Sequence, residues 1–438
     1  MRRNKTFGLF ALAFLVVCSV LAIIYEPSHP EATTPFDGGD LAWMITATAL
    51  VLIMTPGLSF FYGGMVRAKN LISTLLQSFI ALGVISIFWY VVGFSLAFGE
   101  SLGGFIGDPR TFLFFNNVGT ASHPTIASGL PLVLFAAFQL KFAIITPALI
   151  TGSFAERVRF WSYIVFICLF SLIIYCPLAH MTWHPDGLLF RYGVLDFAGG
   201  TVVHISAGIA AITGALYLGR RKINSKEGEN PVHIPYVILG TGLLWFGWFG
   251  FNSGSALGAN PTAVSALWNT HIASAVAMMT WIIMDAAQGK RPGALGACIG
   301  AVVGLVAITP AAGFVTAGPS LFIGLSAAII SNWVMHRMSK ANRLDDTLDV
   351  FACHGLGGIV GMILTAVFAV DGGLLTSGSP SLLLKHLLAL IILIPCIFVL
   401  SWIIYFLTDK IASIRVTEKQ EEIGLDISQH NEFIKGFQ

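Results

Sequence analysis

Charge is what this chain has least of. Only 11% of its 438 residues are Asp, Glu, Lys or Arg, where a soluble domain carries roughly a quarter. Hydrophobic residues make up 56%, more than a soluble fold of this length can hide from water. The 24 Lys and Arg nearly cancel the 22 Asp and Glu, so there is no basic field to hold a nucleic acid. The six cysteines (Cys18, Cys168, Cys176, Cys298, Cys353, Cys396) stand singly in apolar segments without CxxC or other metal-type spacing. They read as small buried hydrophobes. Strict apolar–polar alternation is missing, which argues against a β-barrel. There is also no nucleophile–base pair and no cofactor motif, so an enzyme finds no support.

What is present is a series of continuous apolar runs, each long enough for the about 20 residues of a spanning helix. They predict an all-α polytopic membrane protein in the lipid bilayer. Its eleven spans fall near 41–62, 71–98, 127–154, 160–180, 198–219, 235–255, 263–286, 293–310, 319–338, 350–370 and 383–409. Basic loop residues alternate in side. Arg67, Lys69, Arg157, Arg159, Arg220, Arg221, Lys222, Lys226, Lys290, Arg291, Arg337, Lys340 and Arg343 fall on one side, and Arg110, Arg191 and Lys385 on the other. The positive-inside rule makes the first side cytoplasmic, with the mature N-terminus outside and the C-terminal tail inside. Spans one to five and six to ten then form two blocks of odd crossing number, inverted relative to each other if they are repeats. Span eleven lies outside the repeat.

Ahead of these spans, Arg2, Arg3 and Lys5 precede an apolar run from Phe7 to Ile24, and a polar stretch from Glu26 to Asp40 follows. That is the layout of a secretory leader, cleaved between Ala22 and Ala32. A retained extra helix is the alternative. The division is therefore 1–31 leader, 32–410 membrane domain and 411–438 cytoplasmic tail.

Two histidines lie inside apolar spans, each eight residues after an aspartate: Asp196 with His204, and Asp346 with His354. Ionisable groups at membrane depth are costly and mark paths for ions, protons or polar solutes. The histidines occupy the fifth and tenth spans, corresponding places in the two blocks. A metal centre would need three or four convergent ligands, and no further ligand sits at suitable depth. A neutral imidazole pair lining a narrow pore fits better, since imidazole donates at one nitrogen and accepts at the other. Asp196 opens the fifth span as a helix cap and can also act as a fixed negative charge near an outer vestibule. Asp346 and Asp349 cap the tenth.

Aromatics gather at span ends: Phe138 and Phe142 in the third span, Trp183 after the fourth, and Trp248 and Phe251 closing the sixth. Interfacial belts account for most membrane aromatics, but the interleaved glycines leave room for rings to turn inward. Trp183 beside Ser255 offers a π face and a hydroxyl acceptor to a small cation, and Phe142 with Phe251 offers a dry gate below. Lys141 is out of place in mid-span. It points about 100° away from Phe142 on a helix and is expected to meet a carboxylate or carbonyls.

These motifs resemble the Amt/Mep/Rh ammonium transporter family, in its bacterial Amt branch, from about Asp40 to Asp426. The matching runs are Asp196-Phe-Ala-Gly-Gly-Thr-Val-Val-His204, Phe154-Ala-Glu-Arg157, Trp248-Phe-Gly-Phe-Asn-Ser-Gly-Ser255, Thr309-Pro-Ala and Asp349-Val-Phe-Ala-Cys-His354-Gly. The resemblance implies a homotrimer of eleven-helix subunits in the cell inner membrane, each with its own pore. It implies an outer site for ammonium, or the analogue methylammonium, formed by Trp183, Ser255 and Phe138 and supported by Asp196. Phe142 and Phe251 take the place of the gate, Trp248 stands beside the pore, and His204 and His354 take the place of the pore histidines. No cofactor is implied. The tail from Arg415 to Asp426, which on charge alone reads as a solvated end, resembles the segment through which family members bind PII-class signal proteins. The other readings are an ammonium sensor, which would be expected to carry a fused signalling module, and an Rh-like gas channel for ammonia or carbon dioxide, which Trp183 and Ser255 speak against.

Overall fold

The computed structural model describes residues 2–24, 27–222, 231–340 and 344–434. Among them eleven helices are long and apolar enough to cross a membrane. These are α1 (Thr6–Ile24), α2 (Gly38–Met65), α3 (Ala68–Phe98), α4 (Leu132–Ile150), α5 (Phe160–Tyr192) and α6 (Gly200–Leu218), then α7 (Ile234–Ser253), α8 (Pro261–Ala287), α10 (Ala317–Met338), α11 (Phe351–Phe368) and α12 (Ser381–Ile411). A shorter apolar helix, α9 (Ala294–Ile308), stands between α8 and α10.

The total equals the expected eleven, but the membership differs. Helix α1 is counted, and the expected span at 293–310 has only 15 helical residues. That is about 22 Å of helix against roughly 30 Å of hydrocarbon. The shortfall is tolerated because α9 is wrapped in protein, buried throughout from Cys298 to Ile308. Hydrogen-bonded turns continue the chain from Thr309 to Phe314. Non-helical backbone at membrane depth survives where protein covers it. The expected third span, 127–154, is also trimmed. Ala127–Pro131 is a strand paired with Ser122–His123, the second of two small hairpins in the loop between α3 and α4.

Two pairs of like positions in the two blocks, the first and the fifth, meet each other. The first helices, α2 and α7, pack along a glycine-lined seam. A Cβ on Gly240 would stand 2.3 Å from Phe61 N, and one on Gly57 would stand 2.9 Å from Leu243 Cβ. Small residues let helix backbones approach in lipid, where water drives nothing together. The fifth helices, α6 and α11, cross in the same way, and α12 packs over α6 from outside both blocks.

Some of the basic loop residues are internal, Arg67 and Arg157 among them. Glu156 is buried with φ of 69°. It accepts from Arg67 N at 2.9 Å and Arg67 Nε at 2.8 Å, and pairs with Arg221 at 3.5 Å. Arg157 is fully buried and donates to the carbonyls of Gly219, Ser153 and Asp345 and to Thr347 Oγ1. Lys226 and Arg343 lie outside the described residues.

From Arg415 to Asp426 the tail is no solvated end. Its backbone bonds to the loop before α5, with Arg159 N to Ile414 O and Val416 N to Arg157 O, both 2.9 Å. Thr417 and Gln420 form a reciprocal capping box for a short helix, Glu418–Ile423. Glu421 is buried, bonded to Arg415 Nη2 at 3.1 Å and to Lys222 N. Asp426 caps the start of α3 by accepting from Ile72 N at 3.0 Å and Ser73 N at 2.7 Å. Charge counting misses this because these charges find buried partners distant in sequence.

Candidate functional site

The site begins with how the backbone winds. Among the described residues six segments turn as π-helix rather than α-helix, and three of them build this site: Gly200–Ile205, Phe249–Ser253 and Phe351–Leu356. They carry His204, Phe251 and His354. A π turn adds one residue to the loop of the helix, redirects its side chains, and occurs mostly at functional sites.

The turns that carry the histidines start alike. Asp196 Oδ2 accepts from Thr201 N at 2.7 Å and Asp346 Oδ2 accepts from Phe351 N at 2.8 Å, each five residues on. Asp196 also accepts from Gly199 N and Gly200 N at 2.8 and 2.6 Å, and from Thr201 Oγ1 at 2.5 Å. Its expected capping role is met by four donors. Gly199 has φ of 116°, which glycine adopts without strain. The Asp196 loop is held in turn by a third buried histidine. His386 Nε2 accepts from Leu195 N at 3.0 Å, while its Nδ1 bonds Met362 O at 2.8 Å.

Glycines then bring α6 and α11 together. A Cβ on Gly208 would lie 2.2 Å from Gly355 N, and one on Gly358 would lie 3.2 Å from His204 Cβ. Each of these two glycines stands four residues after its histidine. The result is a contact between His204 Nδ1 and His354 Nδ1 at 3.3 Å, with ring centroids 5.4 Å apart. Both rings are buried. Two Nδ1 atoms at this distance need one proton between them, so one ring donates and the other accepts. The outward Nε2 atoms are then complementary, one N–H and one lone pair. His204 Nε2 has no partner among the described residues.

An aromatic column leads to the pair. Phe138 meets Phe142 edge-on at 5.0 Å, and Phe142 stacks on Phe251 at 4.1 Å. Phe251 lies 6.1 Å from His204, and Trp248 stacks on His204 at 5.4 Å. Trp248 is fixed by its indole N–H, which donates to Thr309 Oγ1 at 2.9 Å. Phe138, Phe142 and Phe251 are each no more than 1% exposed. On the side away from the basic loops, Trp183 lies edge-on to Phe142 at 5.8 Å and donates to Asp196 O at 3.1 Å. Ser255 donates to Phe251 O at 2.9 Å, which leaves its oxygen lone pairs turned to other uses. Trp183 and Ser255 are thus tied to opposite members of the phenylalanine pair, and both remain partly accessible.

The nine residues expected to form the outer site, the gate and the pore pair fall on or beside this column. Lys141 does not join it. It is half-buried, and its own chain supplies neither the carboxylate nor the carbonyls expected for it among the described residues. Nothing in the sequence marks Thr309, His386 or the spacing of Gly208 and Gly358 as functional: Thr309 opens the Thr-Pro-Ala run, and glycine is a general packing residue of membrane helices. No group of three or more His, Cys, Asp or Glu could hold a metal ion among the described residues.

The model of the Ammonium Transporter Family matches residues 42–435. A putative ammonium transporter of Methanothermobacter thermautotrophicus is 44% identical over 407 residues, covering 90% of this chain and 98% of that protein. An ammonium transporter of Aquifex aeolicus is 43% identical over 428 residues, covering 96% and 98%. The crystal structure of Saccharomyces cerevisiae Mep2 superposes with a TM-score of 0.83 at 34% identity, covering 91% of this chain and 92% of that one. With its buried histidine pair and paired helix blocks, the chain belongs to the Ammonium Transporter Family.

Proposed function

We propose that the protein recruits ammonium on the outer face of the cell inner membrane, strips one proton, and passes ammonia inward while the histidine pair carries the proton. The observation that carries this reading is the buried Nδ1–Nδ1 contact at 3.3 Å. A proton arriving at the free Nε2 of one ring can cross to the other ring and leave from its Nε2, because each transfer is a tautomer change of a neutral imidazole. Ammonium itself would shed its hydration to pass the phenylalanine pair, and an unpaired ion in an apolar channel is prohibitively costly. Neutral ammonia passes and bonds the histidines on the way. Trp183 supplies a π face and Ser255 its oxygen for the cation, with Phe138 completing the site and Asp196 holding the Trp183 indole by its carbonyl.

A cation–π contact contributes about 1–2 kcal/mol, roughly 5- to 30-fold in affinity. Trp183→Ala should therefore raise the half-saturating concentration for methylammonium uptake into proteoliposomes by about tenfold, with a smaller rise for Ser255→Ala. Saturation unchanged in both would remove the recruitment site and revive the gas-channel reading.

The basic loops face the cytoplasm in this account, and the tail with them. Trimeric assembly and docking of a PII-class protein on that face follow from the family resemblance, and a tail folded onto the basic loops supports a surface built for a partner. The expected division into a leader of 1–31 and a transport domain of 32–410 enters the same proposal with its cleavage point moved earlier. No residue of the apolar window in α1 is buried, whereas every other span buries a third or more. Residues just after α1 are clamped to the loop between α3 and α4. Asn117 N donates to Ser28 O at 2.7 Å and Ala121 N to Pro30 O at 2.9 Å. Ser28 N donates to Asn116 Oδ1 at 2.8 Å. These bonds favour cleavage before Ser28 over cleavage after Ala32. Intact mass of the purified protein should show a first residue between Ile23 and Ser28. A chain starting at Thr33, or still carrying Arg2, would contradict it.

A further inference from the structure

The two repeats place one capping aspartate at the start of each histidine-bearing turn, and the two aspartates differ. Asp196 has donors on both carboxylate oxygens, four bonds in all. Asp346 gives Oδ2 to Phe351 N, but its Oδ1 is buried and meets no hydrogen-bond donor among the described residues. Asp346 is only 8% exposed. The Val350 amide and the Ser153 hydroxyl stand close to the carboxylate, but neither makes a hydrogen bond to Oδ1, and the Ser153 proton goes to Ala211 O at 2.6 Å. A buried carboxylate oxygen left without a donor is expensive unless something comes to it.

The surrounding groups leave that oxygen open. Tyr62 on α2 and Tyr405 on α12 face Asp346 electrostatically, yet their hydroxyls donate to Leu149 O at 2.9 Å and Ala210 O at 3.1 Å. Arg157 faces it from the loop before α5, but its guanidinium goes to carbonyls, to Thr347 and to Asp345 at 3.7 Å. On its own element, the Cys353 thiol also faces it. Burial pushes the Asp346 carboxyl up to about 6, against the lowering by the Phe351 and Val350 amides, Ser153 and Arg157. A group titrating there can take and release a proton near neutral pH.

We propose that Asp346 is the inner proton acceptor of this transporter, taking on Oδ1 the proton that leaves the histidine pair and releasing it to the cytoplasm. The assignment rests on the relay proposed above. The N–H bond of ammonium breaks outside, the proton crosses the imidazoles, water entering from the inner face carries it on, and an O–H bond forms on Asp346. Loss of that proton to cytoplasmic water restores the carboxylate, and the proton rejoins ammonia inside. Asp196, with its acceptor positions filled, stays a fixed outer cap, so the same device serves two roles in the two repeats.

Asp346→Asn separates capping from proton transfer, because the amide oxygen still accepts from Phe351 N–H but cannot take a proton. Asp346→Ser is a second variant that can cap without titrating, should the first fold poorly. Purified protein in proteoliposomes should give a wild-type ammonium current that falls as the inner pH drops through about 6. Either variant should cut the current at least tenfold, flatten that pH dependence, and leave the melting temperature and oligomer size unchanged. Asp346→Glu should restore current with a displaced pH profile. Wild-type current and pH profile in Asp346→Asn would reduce Asp346 to a cap and overturn the proposal. A wild-type protein carrying no current would remove the relay itself, and this assignment with it.

Discussion

Replacing His204 and His354 together with leucine should abolish ammonium transport while leaving the fold intact. Both rings are buried and bond each other, so the double change removes two polar groups at once and strands neither. Swapping both partners of a buried hydrogen bond for apolar groups of similar size is close to neutral for stability. Transport is another matter. Ammonia in the column would lose its hydrogen-bond partners, at about 1–3 kcal/mol for each bond left unmade. The proton would lose the imidazole route proposed for it. Two lost bonds alone predict a fall of roughly 30-fold or more in rate. Initial uptake rates in proteoliposomes, normalised to protein and compared at matched melting temperature, give the readout. Ammonium uptake at the wild-type rate with potassium still excluded would show that the histidines only pack.

The second large effect is expected from a residue with no chemistry of its own. Gly208→Val should destroy activity by forcing α6 and α11 apart. The first atom of the new side chain would sit 2.2 Å from Gly355 N and 2.3 Å from Gly355 Cα. Those are backbone atoms within a π turn and cannot swing away as a flexible side chain would. Overpacking of this kind costs about 1–3 kcal/mol, and any parting of the helices breaks the 3.3 Å contact next to it. Transport should drop more than tenfold, with a lower melting temperature. Gly242→Ala is the control, because a Cβ there meets nothing within 4 Å. It should keep full activity. Equal tolerance at both positions would mean that helix approach at the histidines is not what makes the site.

These two glycines also show where reading the sequence stops. Gly208 and Gly242 are the same residue in apolar helices, and only the neighbouring chain tells them apart. The histidines, by contrast, were legible, because ionisable groups are so costly at that depth that two of them at one spacing demand an explanation. The pairing of Phe142 with Phe251 was legible from aromatics separated by glycines at span ends, and the resemblance added that such a pair is the gate. The π turns were not legible, since a helix wound by five residues has no compositional signature. Helix α9 was expected to be longer because apolar residues continue past Ile308. Hydropathy cannot tell a lipid-facing run from one buried in protein. The tail was misread on charge for the converse reason: Glu421 and Asp426 look solvated until Arg415, Lys222 and the start of α3 are found beside them.

The most direct test of the central claim is the current across a supported membrane of wild-type proteoliposomes after an ammonium jump. If ammonium is deprotonated and its proton follows through the histidine pair, the current saturates with ammonium and an equal jump of potassium produces none. Alkalinisation of the liposome interior without any current would contradict the account, because ammonia alone would then be crossing and the proton would be left outside.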